Sequence, residues 1–318
     1  VEALFLIGFV SWMWVRIHDP AANHTEQPMD LMFMSSIWTS PTFPPHDAWL
    51  AGYSISYYYL GYWLLTTLGH LSSTPPAIAY NIGQASWYGL LLIGSYGIVY
   101  NLAVLRTTDQ ARNKPVGFED TGQQSWAHSA AGLLAALFVG AAGNLHVILE
   151  WLYAQGADIA RFAAWVDVNG FPENAHRSGL WYIGYDWWWW RSSRVVSDQD
   201  LLGGHIEVID EFPAFSYILG DNHPHVLAMP VVLAVIAIAL SVFLAAQRNG
   251  LGVAAEMPAR RAWRCLPSVL PMGLPGLGLI VLVSGGLVFL NTWDYPPYVF
   301  LLALALFAGL ATADDKSV

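Results

Sequence analysis

Six apolar runs, near residues 1–17, 76–105, 125–149, 222–246, 267–290 and 297–313, constrain this chain more than any other feature. About 20 consecutive apolar residues cross the hydrocarbon core of a bilayer as a helix. Backbone N–H and C=O groups find no water in lipid, so each run must satisfy them internally, which a helix does and an open strand does not. The expected fold is therefore all-α, a polytopic transmembrane helix bundle of about six spans, with residues 1–318 forming a single transmembrane module. Composition agrees. Charged residues make up 11% of the chain, where soluble domains carry about a quarter. The 16 tryptophans suit rings that sit half in lipid and half in water. A net charge of −10 argues against nucleic acid, whose phosphates need clustered Lys and Arg. The single cysteine, Cys265, excludes an intramolecular disulfide and a CxxC redox pair.

Basic residues orient the spans, because loops on the cytoplasmic side hold more Lys and Arg. The stretch 106–124 carries Arg106, Arg112 and Lys114, and 247–264 carries Arg248, Arg260, Arg261 and Arg264. The long stretch 150–211 has four arginines against ten acids. Residues 17–75 and 150–221 are thus expected outside, as a first and a second outer loop of a multi-pass protein of the cytoplasmic (plasma) membrane. An odd number of crossings must then separate the first outer loop from Arg106. Tyr53–Leu71, short and aromatic, reads as an interfacial helix anchored by tyrosines, with a crossing hairpin as the alternative. The stretch 28–40 reads as a second interfacial helix, its Met and Leu side chains toward lipid, Asp30 and the serines toward water.

Polar motifs gather in the expected outer loops, and each has a plain reading beside a functional one. Glu26 and Asp30, four apart, would share a helix face and could act as a general base or bind a metal, or be solvated loop acids. Tyr57, Tyr58 and Tyr59 cannot all face one side of a helix, so at least one hydroxyl should point to a polar cavity or the interface; an aromatic belt is the alternative. Trp187 to Trp190 followed by Arg191 and Arg194 offers rings that stack on sugars and guanidiniums that fork phosphate, or else an interface anchor with snorkelling arginines. Asp210-Glu211-Phe-Pro213 and Asp221-Asn-His223-Pro-His225 follow, the second at the start of a span. Asp, Asn and Pro suit a helix start. Two histidines beside three acids at a membrane boundary ask for more, either a divalent cation or a base near neutral pH. Asn144 and His146 interrupt the third span near its outer end, and Asn291-Thr-Trp-Asp294 joins the last two spans on the same side. Under this topology all these motifs reach one outer cavity.

The triple Tyr57-Tyr58-Tyr59 with Gly61, Glu211-Phe-Pro-Ala-Phe-Ser216, Gly220-Asp-Asn-His-Pro-His225 and Asn291-Thr-Trp-Asp-Tyr-Pro296 together resemble the YYY family of very hydrophobic membrane proteins. Typical members are longer, so the resemblance implies that this chain is an N-terminal portion, in keeping with a start at Val1 inside an apolar run. That family in turn looks like a distant member of the C-type (GT-C) glycosyltransferases, which take a sugar from a polyprenyl-phosphate carrier outside the cytoplasmic membrane. The likeness implies a catalytic acid in the first outer loop, where Glu26 and Asp30 stand, and a second acidic motif in the next, where Asp210, Glu211 and Asp221 stand.

The expected function is therefore glycosyl transfer from a polyprenyl-phosphate-linked sugar on the extracytoplasmic face. Glu26 or Asp30 would deprotonate the acceptor hydroxyl, and Arg191 and Arg194 would hold the carrier phosphate. Tyr57, Tyr58, Tyr59, Trp190, Asp210, Glu211 and Asp294 would complete the substrate site. Asp221, His223 and His225 would position a divalent metal ion or the phosphate. Membrane lipid, polyprenyl phosphate among it, and other membrane proteins are the expected partners. The competing expectation is a non-catalytic structural subunit of a larger membrane complex; a transporter is a third, but few charges lie within the spans.

Overall fold

The structure is a computed structural model that describes residues 1–112, 121–166, 188–249 and 273–313, together with 168, 171, 179–182 and 270. The described residues are mostly helical. Five helical stretches are long and apolar enough to cross a membrane: Pro76–Thr107, Ser125–Ala142, Pro224–Arg248, Gly273–Leu290 and Thr292–Ala311. The first apolar run is also a helix, α1 (Glu2–His18), of 17 residues. The chain is thus a polytopic helical membrane protein. Lys114, Arg260, Arg261 and Arg264, used above for orientation, and Trp187 lie outside the described residues. Contacts divide the chain into two compact units, Val1–Ala136 with Asp221–Val318, and Leu137–Gly220.

In the first unit α1 packs on α4 (Pro76–Arg112). The two run antiparallel, since Gly8 meets Gly89 and Leu92, Trp12 meets Gln84 and Tyr88, and Arg16 meets Asn81. Gly8, Trp12 and Arg16 recur every four residues and form the buried stripe of α1. The crossing depends on missing side chains: a Cβ on Gly89 would lie 2.8 Å from the Phe5 ring and 3.0 Å from the Phe5 carbonyl oxygen. Lipid gives helices no hydrophobic drive to associate, so close backbone approach at small residues carries the contact. Gly89→Ala should destabilise the unit by about 1–3 kcal/mol. Thermal unfolding of the protein in detergent checks this; an unchanged midpoint would mean that the helices part there without cost.

Helices α10 (Pro224–Asn249), α11 (Gly273–Leu290) and α12 (Tyr295–Ala311) complete the span layer. Trp87 donates its indole N–H to the Leu227 carbonyl at 2.9 Å, and Gly94 meets Leu233, so α4 and α10 run in the same direction. Their N-termini therefore lie at one end of the unit, the end where α1 finishes. A buried cluster of Ala228, Val235, Leu287 and Leu290 joins α10 to α11.

Two short helices lie at that end. Helix α2 (Gln27–Thr39) and α3 (Leu60–Leu71) run side by side and parallel, residue 30 meeting 62, 34 meeting 66 and 38 meeting 70. This overturns the amphipathic reading of 28–40. Asp30 and Met34 are fully buried and Ser36 is buried, while Ser35 alone of these serines is exposed. The helix turns its acid inward because α3 and α4 supply hydrogen-bond donors there. The interfacial helix expected over 53–71 is shorter: α3 has 12 residues, about 18 Å long, which falls short of a hydrocarbon core about 30 Å thick. The three tyrosines precede it instead of sharing its faces.

What the sequence presents as one span over 125–149 is broken just inside the second unit, which begins at Leu137. Helix α5 (Thr121–Leu137) continues as a π turn over Phe138–Ala142, then the chain turns at Gly143 (φ 59) and Leu145 (φ 64) into α6 (His146–Ala154). A Cβ on Gly143 would collide with the Phe212 ring. Asn144 holds the break, donating to the Ser192 carbonyl at 2.6 Å and accepting the His146 N–H at 3.1 Å. Further on come α7 (Ala160–Trp165), α8 (Trp188–Ser192), a hairpin of β1 (Ser197–Gln199) and β2 (His205–Glu207), and α9 (Pro213–Leu219).

Candidate functional site

At the shared end of α1, α4 and α10, a buried carboxyl organises three elements. Tyr62 donates its hydroxyl to Asp30 Oδ1 at 2.5 Å, and Tyr80 donates to Oδ2 at 3.4 Å. The Asn222 backbone N–H donates to the same Oδ2 at 2.9 Å, and the Asn222 amide donates to the Tyr80 carbonyl at 3.0 Å. Asp30 thereby ties α2 to α3, to α4 and to the turn that opens α10. Burial first, with the nearby Asp221 and Glu26, holds its pKa up at about 7 against the Tyr62 and Asn222 donors that lower it. Burial and the Asp30 charge hold the Tyr62 hydroxyl far above the ordinary phenol range.

Around this core the polar contacts continue. Thr25, at a positive φ of 41, donates to both carboxylate oxygens of Asp221, at 2.8 and 3.1 Å. Gln84 donates to the Asp221 carbonyl at 3.1 Å and accepts the Trp12 indole N–H at 3.3 Å. Arg16 donates from Nε to Asn81 Oδ1 at 2.8 Å.

The accessible part of the site lies beside this core. Glu26, just ahead of α2, is more than half exposed and stands 2.9 Å from His223 Nε2. Tyr57 places its hydroxyl 3.1 Å from the same nitrogen, and its pKa is pushed up to about 12, chiefly by burial and then by Glu26. His223 Nδ1 lies 2.8 Å from His225 Nδ1. Asp294 accepts from the Asn291 amide at 3.0 Å and lies close enough to His225 to interact with it electrostatically. Of the expected residues, Glu26, Tyr57, His223, His225 and Asp294 therefore meet here. Tyr58 packs on Tyr57, and Tyr59 lies edge-on to Phe43. Glu26 and Asp30 do not act as a matched pair on one helix face, since one is exposed and the other sealed.

The expected metal set does not fit. Among the described residues no three His, Cys, Asp or Glu side chains are arranged to hold a metal ion. Two imidazole nitrogens bound to one tetrahedral zinc stand about 3.3 Å apart, given Zn–N bonds of about 2.05 Å. The 2.8 Å between the two Nδ1 atoms is a hydrogen bond. Asp221 is engaged with Thr25 instead.

The second unit has its own network. Arg191 Nη2 lies 2.5 Å from Glu150 Oε1, with Glu150 fully buried, and His146 stands 3.8 Å from the same oxygen. Burial, then the Arg191 charge, lowers the His146 pKa to about 4, so the ring is neutral at pH 7. Arg194 bonds Glu207 at 2.8 Å and lies 3.7 Å over the Trp190 ring. Asp210 accepts the Val196 N–H, and Glu211 accepts the Ser216 hydroxyl at the start of α9. Arg191 and Arg194, expected at a carrier phosphate, thus each pair with a carboxylate of their own unit. Asp210 and Glu211 likewise staple their own loop.

A family model described as "Uncharacterized membrane protein (DUF2298)" matches residues 1–316. The chain belongs to this family of membrane proteins. Comparison with curated proteins and with solved structures gave no match. Membership covers both units and every residue of the network described above. Sequence reasoning missed Thr25, Tyr62, Tyr80, Gln84 and Glu150. A usable signal existed for one of them: Gln84, like its neighbours Arg16 and Asn81, is a polar position inside an apolar run, where such residues are costly unless they meet one another or serve a site.

Proposed function

We propose that the protein is a membrane glycosyl transferase acting at the extracytoplasmic face of the cytoplasmic membrane, with a polyprenyl-phosphate-linked sugar as donor. The observation that carries the reading is the Glu26–His223–His225 chain at the end of the span layer, partly accessible and flanked by Tyr57. Such a chain can accept the proton of an attacking hydroxyl. A histidine that has taken up a proton also places positive charge where a leaving phosphate develops its negative charge. The tyrosines offer flat faces for a sugar. Further support comes from an apolar cavity of about 1010 Å³ between α3, α4, α10 and α11. It is lined from Leu60, three residues after Tyr57, and Leu290, next to the Asn291 corner, down to Leu105 and Leu244. A branched hydrocarbon chain lying there would bring its headgroup to the polar end.

The test is transfer of labelled sugar from polyprenyl-phosphate donors by the full chain in lipid nanodiscs, together with native mass spectrometry of protein drawn gently from its own membrane. Glu26→Ala should cut the transfer rate by about 10²–10⁴-fold, the range of general acid–base contributions. Absence of both transfer and bound polyprenyl phosphate, with stoichiometric partner chains instead, would sink the reading in favour of a structural subunit.

A further inference from the structure

We propose that Arg106, with Thr107 and His128, forms a site for the phosphate group of an anionic membrane lipid, at the membrane face opposite the Glu26–His223 centre. The site does not depend on the transferase reading.

Its place follows from helix geometry. Helix α4 brings Asn81 beside Arg16 at the end that holds the polar centre, and Arg106 stands 25 positions further along the same helix. At about 1.5 Å per residue that is about 38 Å, more than a hydrocarbon core of about 30 Å. The apolar stretch of α4 ends at Thr107 and that of α5 begins at Ser125, so Arg106 and His128 lie within a turn of the membrane boundary. Trp126, exposed on α5, stands at the same level, where indole rings settle among headgroups.

A cavity of about 510 Å³ opens there between α4 and α5. Its polar wall is Arg106, Thr107 and His128, and its apolar wall includes Val99, Leu102 and Ala103. Positions 99, 102, 103 and 106 follow in steps of three and four and share one face of α4, the apolar three deeper in the bilayer than the arginine. The His128 ring is held in place: Thr107 Oγ1 lies 3.1 Å from its Nε2, and Tyr100 meets it edge-on with centroids 6.2 Å apart. Tyr96 against Gly132 keeps α5 close to α4 one turn further in.

Arg106 differs from the other arginines that meet polar partners. Arg191 and Arg194 pair with Glu150 and Glu207, and Arg16 bonds Asn81. Arg106 is exposed, and none of the ion pairs among the described residues uses it. A guanidinium offers a planar fork of N–H donors that matches phosphate oxygens, and basic pockets between spans hold anionic headgroups. The apolar wall favours a lipid over free phosphate. Leu102 also lines a second, apolar cavity of about 240 Å³ between α4, α10 and α12. A phosphate at Arg106 would thus leave its acyl chain apolar surface to follow inward, which a free phosphate would not use.

Native mass spectrometry of the full chain, titrated with phosphatidylglycerol, phosphatidylcholine or inorganic phosphate, tests the site. One phosphatidylglycerol should bind more tightly than the rest, and Arg106→Gln should weaken that step by about tenfold. Arg248→Gln is the control: it removes an equal charge from an exposed position near the same end of α10, outside the cavity, and should leave the step unchanged. Ala103→Phe, which crowds the apolar wall and keeps every charge, should also weaken it. Equal losses for Arg106→Gln and Arg248→Gln would show diffuse attraction and overturn the site. Displacement of the lipid by inorganic phosphate alone, with Ala103→Phe binding like the wild type, would overturn the lipid assignment in favour of free phosphate. Phosphatidylcholine bound as tightly as phosphatidylglycerol would overturn the selection for an anionic lipid.

Discussion

Arg191→Ala should cost about 3–5 kcal/mol at pH 8, the range seen when one partner of a buried ion pair is removed. The carboxylate it leaves behind, Glu150, is fully buried, and the loss includes the 2.5 Å bond from Nη2. Desolvation makes the remaining charge expensive because water cannot reach it. The loss should shrink at acid pH. His146 stands 3.8 Å from the same oxygen, and its pKa is lowered to about 4 by burial first and then by Arg191. Removing the arginine lifts that repulsion, so the pKa of His146 rises and its protonated form replaces part of the missing cation as pH falls. Chemical unfolding of the full chain in nanodiscs, followed at pH 8 and pH 5.5, separates the effects. A second variant, Arg191→Met with Glu150→Gln, removes both charges and should lose much less than the single change, since buried pairs often exchange for neutral groups at little cost. Equal losses for the two variants would mean that packing, and not charge, holds the unit.

Asp30→Ala should destabilise the first unit by about 2–4 kcal/mol. The Tyr62 hydroxyl and the Asn222 N–H each lose a buried acceptor, at about 1–3 kcal/mol apiece, and relief from burying the carboxyl offsets part of that. The pH dependence is the sharper signature. A carboxyl with an ordinary value of 3.8 is held at about 7 in the fold, so the folded state binds its proton more tightly than the unfolded chain does. Stability from this group is therefore present at low pH and is lost as pH rises from about 4 to about 7, after which it is flat. The wild type should melt at progressively lower temperature across pH 5, 6 and 7, and Asp30→Asn should remove most of that slope. A slope of the opposite sign would mean that the tyrosine and amide donors outweigh burial and keep Asp30 ionised.

Both predictions concern residues whose roles sequence reasoning could not assign in full. Glu26, Tyr57, His223, His225 and Asp294 were legible as candidates because acids and histidines at the ends of apolar runs are costly there and few. Their meeting at one end of the first unit was legible too, because span order and direction place the ends of α1, α4 and α10 together. Asp30 was read as a water-facing acid, since its apolar neighbours fit an interfacial helix as well as a buried one. Arg191 was read as a phosphate clamp, since nothing near it in sequence announces Glu150, 41 positions earlier. Asn144 and His146 marked a polar interruption within 125–149, but that the helix ends there, at Gly143, was not legible.

By itself, then, the sequence determined that this is a multi-spanning helical membrane protein, because lipid demands that each apolar run close its own backbone hydrogen bonds, and that demand is local. It also determined where ionisable groups cluster along the chain. Only the tertiary structure decided which of them are sealed and which accessible. That Asp30 answers to Tyr62, Tyr80 and Asn222, and Arg191 to Glu150, follows from which helix faces come together. A buried polar group must find its partner in space, and the partner's place in the chain leaves no periodic trace to read.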